Sequence, residues 1–344
     1  MAGRRLQLAR ALMAVGAHRV IGRHAPASLL IVNYHRLHAR AESGPNRFDD
    51  GVFDTDVETF RRQMRWLQAS TVVLDEDQLL RLGQGGELPR GALYSAVTFD
   101  DGYIDCFTLA KPVLDDLGIR GMFFLPFDML ETRRLGWWDV AAYLLKSTRQ
   151  RSIQVDGQSY DLQGDFEGSL RRILGVFKLE PAERSEALLV RLAGACRVAL
   201  PSHDLQSAEL MSWEQVRAMQ AAGHGIGSHT LSHRVLATLG PEVQAREIKD
   251  SKRSLEAMLG REVLSFAYPV GGPQHINDHS VRLAREAGYQ QAFTFLTGLA
   301  SLPLTERFRI PRESAVSLDI LKAKALLPRV MGLGLQRAAN GQAG

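Results

Sequence analysis

Short runs of apolar, β-prone residues recur along this chain, each followed by a stretch with helical spacing, and that rhythm restricts the fold more than any other feature. The runs are Ser28–Tyr34 and residues 96–99, 121–126, 225–228, 264–268 and 291–295, with 71–74 as a shorter strand and 83–91 as a glycine-rich loop. Helical spacing occupies residues 56–68, Glu76–Leu82, 108–117, 213–222, Pro241–Leu259 and 280–287. Gly118 and Gly223 stop two of these helices, and Ser212 is placed to cap another. Apolar strands that alternate with helices form parallel sheets, so the expected fold is α/β, a distorted (β/α) barrel. The rhythm breaks over about 137–207. There a helix at 139–145, a hairpin at 153–160 turning on Asp156-Gly157 and two amphipathic helices read as a mostly helical insertion. The expected organisation is an N-terminal helix over 1–25, the barrel over 28–315, and a basic helical tail over 316–344.

With 344 residues, 45% of them hydrophobic and 23% charged, the chain can bury one large α/β core or two small ones. The net charge of +4 comes without a dense Lys/Arg tract, so nucleic acid is not an expected partner. Cys106 and Cys196 stand far apart, in no spacing typical of a disulfide framework or a thiolate metal site. No apolar run reaches 18 residues, which argues against a membrane-spanning helix. Arg4, Arg5, Arg10, Arg19 and Arg23 alternate with apolar residues and no acidic ones, the pattern of a basic amphipathic helix. Such a helix either makes peripheral contact with an anionic membrane or packs on the barrel's outside. A signal peptide is the weaker reading, because the apolar stretch at 11–17 is short and contains glycine. The cytoplasm or the inner membrane surface is favoured as location, with the periplasm left open.

Two polar clusters sit where apolar strands end: Thr98-Phe99-Asp100-Asp101-Gly102-Tyr103 and His229-Thr230-Leu231-Ser232-His233. In strand-helix barrels the carboxyl ends of strands are where chemistry is assembled. His229 and His233, four apart, put two imidazoles on one side of a helical turn, and an aspartate from the other cluster completes three ligands. Three protein ligands leave a position open for a water whose pKa a divalent metal lowers to about 7. Zn2+ is the first expectation, and Co2+, Ni2+ or Fe2+ suit the same donor set. Because Asp100 and Asp101 are adjacent, one can serve as ligand while the other acts as base.

On these residues the chain resembles the NodB-homology polysaccharide deacetylases, carbohydrate esterase family four, and its Tyr34-His35 pair resembles that of the branch associated with exopolysaccharide. The resemblance implies Asp100 as general base, Asp101, His229 and His233 as metal ligands, and Thr230 as a hydrogen-bonding support. Two departures stand out. The family's Arg-x-Pro-x-Gly motif is here Ala267-Tyr268-Pro269-Val270-Gly271, without the arginine that orients the base, and Arg309 and Arg312 are the candidates to replace it. The closing Leu-x-His motif is missing, since no histidine follows His279, so His35 at the end of the first strand is the expected general acid. Tyr268, Pro269, Gly271 and Tyr103 are expected near the site, where a backbone amide could donate to an oxyanion. Trp138 is expected to wall a sugar groove. His203, His224 and His275 read as solvent-facing, with His275 able to border the cleft. The implied activity is metal-dependent hydrolysis of N-acetyl groups from amino sugars of a glycan, with a metal-bound water as nucleophile. The alternatives are deacetylation or deformylation of a lipid-linked sugar at a membrane surface, and a non-catalytic glycan-binding module.

Overall fold

The computed structural model describes residues 25–40, 46–82, 89, 91–179, 184–314, 317–331 and 335–336. The helix expected over 1–25 lies, but for its last residue, outside the described residues. Among the described residues no helix is long and apolar enough to cross a membrane.

The strands, in chain order, are β1 (Ser28–Tyr34), β2 (Arg36–His38), β3 (Phe53–Asp56), β4 (Val72–Val73), β5 (Leu93–Asp100), β6 (Met122–Leu125), β7 (Ser152–Val155), β8 (Gln158–Asp161), β9 (Gly225–Ser228), β10 (Ser265–Ala267), β11 (Gln291–Phe293), β12 (Leu299–Ser301), β13 (Glu313–Ser314) and β14 (Leu335–Gln336). The main sheet runs β11-β10-β9-β6-β5-β1, all parallel, and β12 then joins β1 antiparallel. Residues after β12 return to close the curl. Ile310 bridges Phe293 of β11, and β13 pairs with β1 through Val32 and Glu313. The curl is therefore closed by one segment, 310–314, that bridges β11 at one end and β1 at the other.

Buried strands of this kind are apolar on both faces, and β1 and β6 are buried at every position. Phe99 stacks on Phe123 with ring centroids 4.9 Å apart, and Tyr34 lies 5.3 Å from Phe99. Burying such a ring contributes about 1.5–3 kcal/mol. The helices on the outside follow their sequence signals. Helix Trp213–Ala221 starts on a capping box formed by Ser212 and Gln215, and helix Pro241–Leu259 ends on Gly260 at φ 67°.

Between β6 and β9, which are neighbours in the sheet, lie helix Trp137–Ser147, the β7–β8 hairpin, and helices Phe166–Leu179 and Ser185–Cys196. Among the described residues the hairpin pairs only with itself, around Asp156 and Gly157, both at positive φ as a tight two-residue turn requires.

Two local expectations are corrected. The helix over 108–117 opens as a wide π turn at Cys106–Ala110 before the α-helix Lys111–Asp116, because Pro112 has no N–H to give to the preceding turn. The tail is not one helix. Helix Leu318–Met331 ends, and Leu335–Gln336 pairs as a strand with Leu299–Ala300.

Candidate active site

Strand β6 explains how two distant loops meet. The Asp101 N–H donates to Phe124 O on one side of β6, and the His229 N–H donates to Leu125 O on the other, at 3.0 Å each. Successive residues of a strand point to opposite faces, so Asp100 and Asp101 could not both face one pocket if β5 ran on. The strand stops at Asp100, and Asp101 and Gly102 turn left-handed at φ 70° and 71°, which brings both carboxylates to the same side.

The second loop is not the helical turn its spacing implies. Residues 229–233 form an irregular loop with Thr230 at φ 67° and His233 at φ 57°. Thr230 Oγ1 accepts from the His233 N–H at 3.0 Å. The Glu247 carboxylate accepts from the Leu231 and Ser232 N–H groups at 3.1 and 2.9 Å. These side-chain acceptors replace the helical hydrogen bonds and hold the two imidazoles together.

Asp101, His229 and His233 offer ligand atoms that all lie within 4.8 Å of one another. His233 Nε2 is 3.2 Å and His229 Nε2 3.7 Å from Asp101 Oδ1. Bonds of about 2.0–2.2 Å in a tetrahedron separate ligand atoms by about 3.3–3.6 Å, so the set fits a small divalent cation. Two further observations agree. Asp101 Oδ1 is buried without a hydrogen-bond partner, and His229 Nδ1 donates to Ala267 O at 2.8 Å, which leaves the Nε2 lone pair facing Asp101. Burial pushes the His229 imidazole down to about 4, against the pull of Asp100 and Asp101. Burial alone would raise Asp101, yet the two imidazoles hold its carboxyl below the ordinary range.

Asp100 is held separately. Arg312, 1% exposed, donates from Nη1 to Asp100 Oδ1 at 2.8 Å and from Nη2 to Oδ2 at 2.7 Å, while its Nε donates to Thr294 O at 3.0 Å. Asn33 Nδ2 donates to Asp100 Oδ2 at 3.1 Å, and Asn33 Oδ1 accepts from Arg312 Nη1 at 2.8 Å and Thr98 Oγ1 at 2.7 Å. Burial would raise Asp100, but Arg312 and then His229 keep it ionised far below the usual carboxylate range.

Arg309 is not brought to the site. It pairs with the exposed Asp278, while Ile310, Pro311 and Arg312 beyond it are buried against the barrel. His35 is: its Nε2 lies 4.0 Å from Asp100 Oδ2, and its N–H and Nδ1 contact Asp54 Oδ2 at 2.6 and 3.4 Å. Burial would lower this imidazole, but Asp54, followed by Asp100 and Asp101, raises it to about 9.

These groups line a cavity of about 220 Å³, with Trp138, Tyr268 and Val270 on its walls. The Trp138 ring centroid is 4.4 Å from that of His233, and its Nε1–H donates to Tyr103 Oη at 2.7 Å. Tyr103 Oη donates in turn to Asp139 Oδ2 at 2.6 Å, so Tyr103 supports the wall from behind. Burial pushes the Asp139 carboxyl up to about 7. Tyr268 donates to Phe308 O at 3.0 Å. Pro269 O accepts from the Gly271 N–H at 2.6 Å across Val270, whose φ of 60° is unusual for a β-branched residue. Gly271 is required there, since a Cβ would come within 2.5 Å of Phe295 N.

His224 and His275 are corrected from solvent-facing to buried, at 0% and 8% exposure, whereas His203 is exposed. His275 does not line the cavity. Asn33, Asp54 and Glu247 escaped the sequence reading. A polar Asn33 inside an otherwise apolar strand was the one visible signal among them.

The model of the polysaccharide deacetylase family matches residues 183–292. The Streptococcus pyogenes deacetylase PplD, solved with acetate, superposes with a TM-score of 0.54 at 20% identity, over 87% of this chain and 99% of that one. Residues 183–292 thus carry the polysaccharide deacetylase match, within a fold shared with solved deacetylases. IcaB from Ammonifex degensii shares the fold with a TM-score of 0.55 at 18% identity, over 87% and 97% of the two chains. The peptidoglycan-N-acetylglucosamine deacetylase of Bacillus cereus is 36% identical to this chain over 75 residues, and the putative polysaccharide deacetylase YxkH of Bacillus subtilis is 35% identical over 88. Those stretches cover 22% and 26% of this chain, and only 33% and 30% of the two relatives' lengths.

Proposed function

We propose that the chain is a metal-dependent hydrolase that removes N-acetyl groups from amino sugars of a glycan. The observation that carries this reading is the convergence, in one cavity, of the Asp101-His229-His233 donor set with an Asp100 carboxylate held apart from it by Arg312. A divalent cation bound there, Zn2+ in first place, would supply Lewis acidity and a water of lowered pKa. The rest is done by side chains of this chain. Arg312 and Asn33 keep Asp100 ionised and aimed, so that it can accept the proton of the attacking water. His35, kept protonated by Asp54, stands across the cavity to donate a proton to the amine as the C–N bond breaks. Acetate and a free amino sugar leave.

Metal content and acetate release from N-acetylated oligosaccharides, measured on the wild type, Asp101→Ala, Asp100→Asn and His35→Ala, test the reading. It expects Asp101→Ala to lose metal and activity, and the other two to keep metal and lose turnover. A wild type that binds metal and glycan yet releases no acetate would make the domain a binding module instead.

A further inference from the structure

The insertion adds a cation to the catalytic cavity for which the proposed reaction has no use. Arg171, Leu174 and Lys178 of helix Phe166–Leu179 are three and four residues apart, share one face, and all line the cavity. Arg171 is already committed. Its Nη2 donates to Asp49 Oδ1 at 2.9 Å and its Nε to Glu167 Oε1 at 2.7 Å, and its guanidinium lies so close on Gly51 that a Cβ there would meet Nη1 at 2.7 Å. Asp49 is itself fixed, its N–H donating to Asp139 Oδ1 at 3.1 Å.

Lys178 is half-buried and, among the described residues, makes no hydrogen bond or ion pair. Burial and the neighbouring Arg171 lower its pKa from the ordinary lysine value, with Asp49 opposing them. A partly desolvated ammonium beside a guanidinium is unfavourable until an anion joins it. The cavity's carboxylates are engaged elsewhere: Asp49 with Arg171, Asp100 with Arg312, and Asp101 with the imidazoles.

We infer that Lys178, beside Arg171, forms an anion subsite on the insertion side of the cavity, and that the substrate glycan carries a carboxylate or phosphate close to the acetamide that is cleaved. The inference rests on the deacetylase reading of the same cavity and names the substrate class within it. Both anions present the charged oxygens that an ammonium binds as a point charge.

Three N-acetylglucosamine oligomers of equal length, one neutral, one bearing a carboxylate and one a phosphate monoester, would be titrated calorimetrically into the full chain loaded with Zn2+. Acetate release is followed on the same three. At least one anionic oligomer is expected to bind the wild type about tenfold more tightly than the neutral one, a preference that shrinks as salt is raised. Lys178→Gln should abolish the preference through KM and leave kcat and the neutral oligomer unchanged, while Lys178→Arg should retain it. Which anionic oligomer gains identifies the source of the charge. Equal binding of all three by the wild type, or a preference that survives in Lys178→Gln, overturns the subsite. A preference that depends on Lys178 without acetate release from any oligomer upholds the subsite and removes the deacetylase reading.

Discussion

His224 and His229 stand at opposite ends of β9, both buried and both pushed down to about 4 chiefly by burial, yet they are wired in opposite senses. At His224 the Gly121 N–H donates to Nδ1 at 3.2 Å, so the ring proton must sit on Nε2, which faces Asp115 Oδ1 at 3.3 Å. At His229 the partner of Nδ1 is a carbonyl, so the proton sits there and the Nε2 lone pair faces Asp101 and His233. One backbone partner, amide or carbonyl, decides whether a buried imidazole is a packing group or a ligand. Burial and a lowered pKa, which the two share, do not separate them.

The contrast can be broken most severely at the metal. Asp101→Ala should purify without cation and lose acetate release, whereas His224→Gln should retain full occupancy by elemental analysis. Equal loss in both would erase the distinction. Within the ligand end, Asp100→Asn should keep the metal and lower kcat by about 10²–10⁴, the usual range for a proton-transfer group.

The packing end should report instead through stability. Between about 4 and 6.5 the unfolded chain binds a proton at residue 224 that the folded chain refuses. Its contribution is therefore complete above 6.5 and is lost as pH falls towards 4, by roughly 3 kcal/mol over the window. Denaturant melts at pH 7 and 4.5 should show a shallower loss in His224→Gln, and an unchanged slope would refute this account of the ring. The smallest effect is expected across the cavity. Asp54→Asn removes the first of the interactions that raise His35, so the basic limb of the activity profile should move to lower pH by about one unit.

Much of the barrel could be read from the chain because its strands are continuous apolar runs, and β5 and β9 end at the polar clusters that mark the site. What could not be read were features set by contacts between distant segments. The 229–233 loop has helical spacing, but the Glu247 carboxylate fixes it in another shape. Arg309 and Arg312 are alike as residue types, and the pairing of Ile310 with Phe293 and of Glu313 with Val32 decides which of them faces Asp100. His224 resembled a turn residue because it follows Gly223, and nothing local announces that Gly121 lies over it.

The guanidinium that grips Asp100 with two hydrogen bonds lies late in the chain, after both site loops, so a nascent chain that stops short of residue 312 holds that carboxylate by Asn33 alone. On the proposed reaction, such a partly made molecule would lack the firmer of the two holds on its base until that part of the barrel wall is hung.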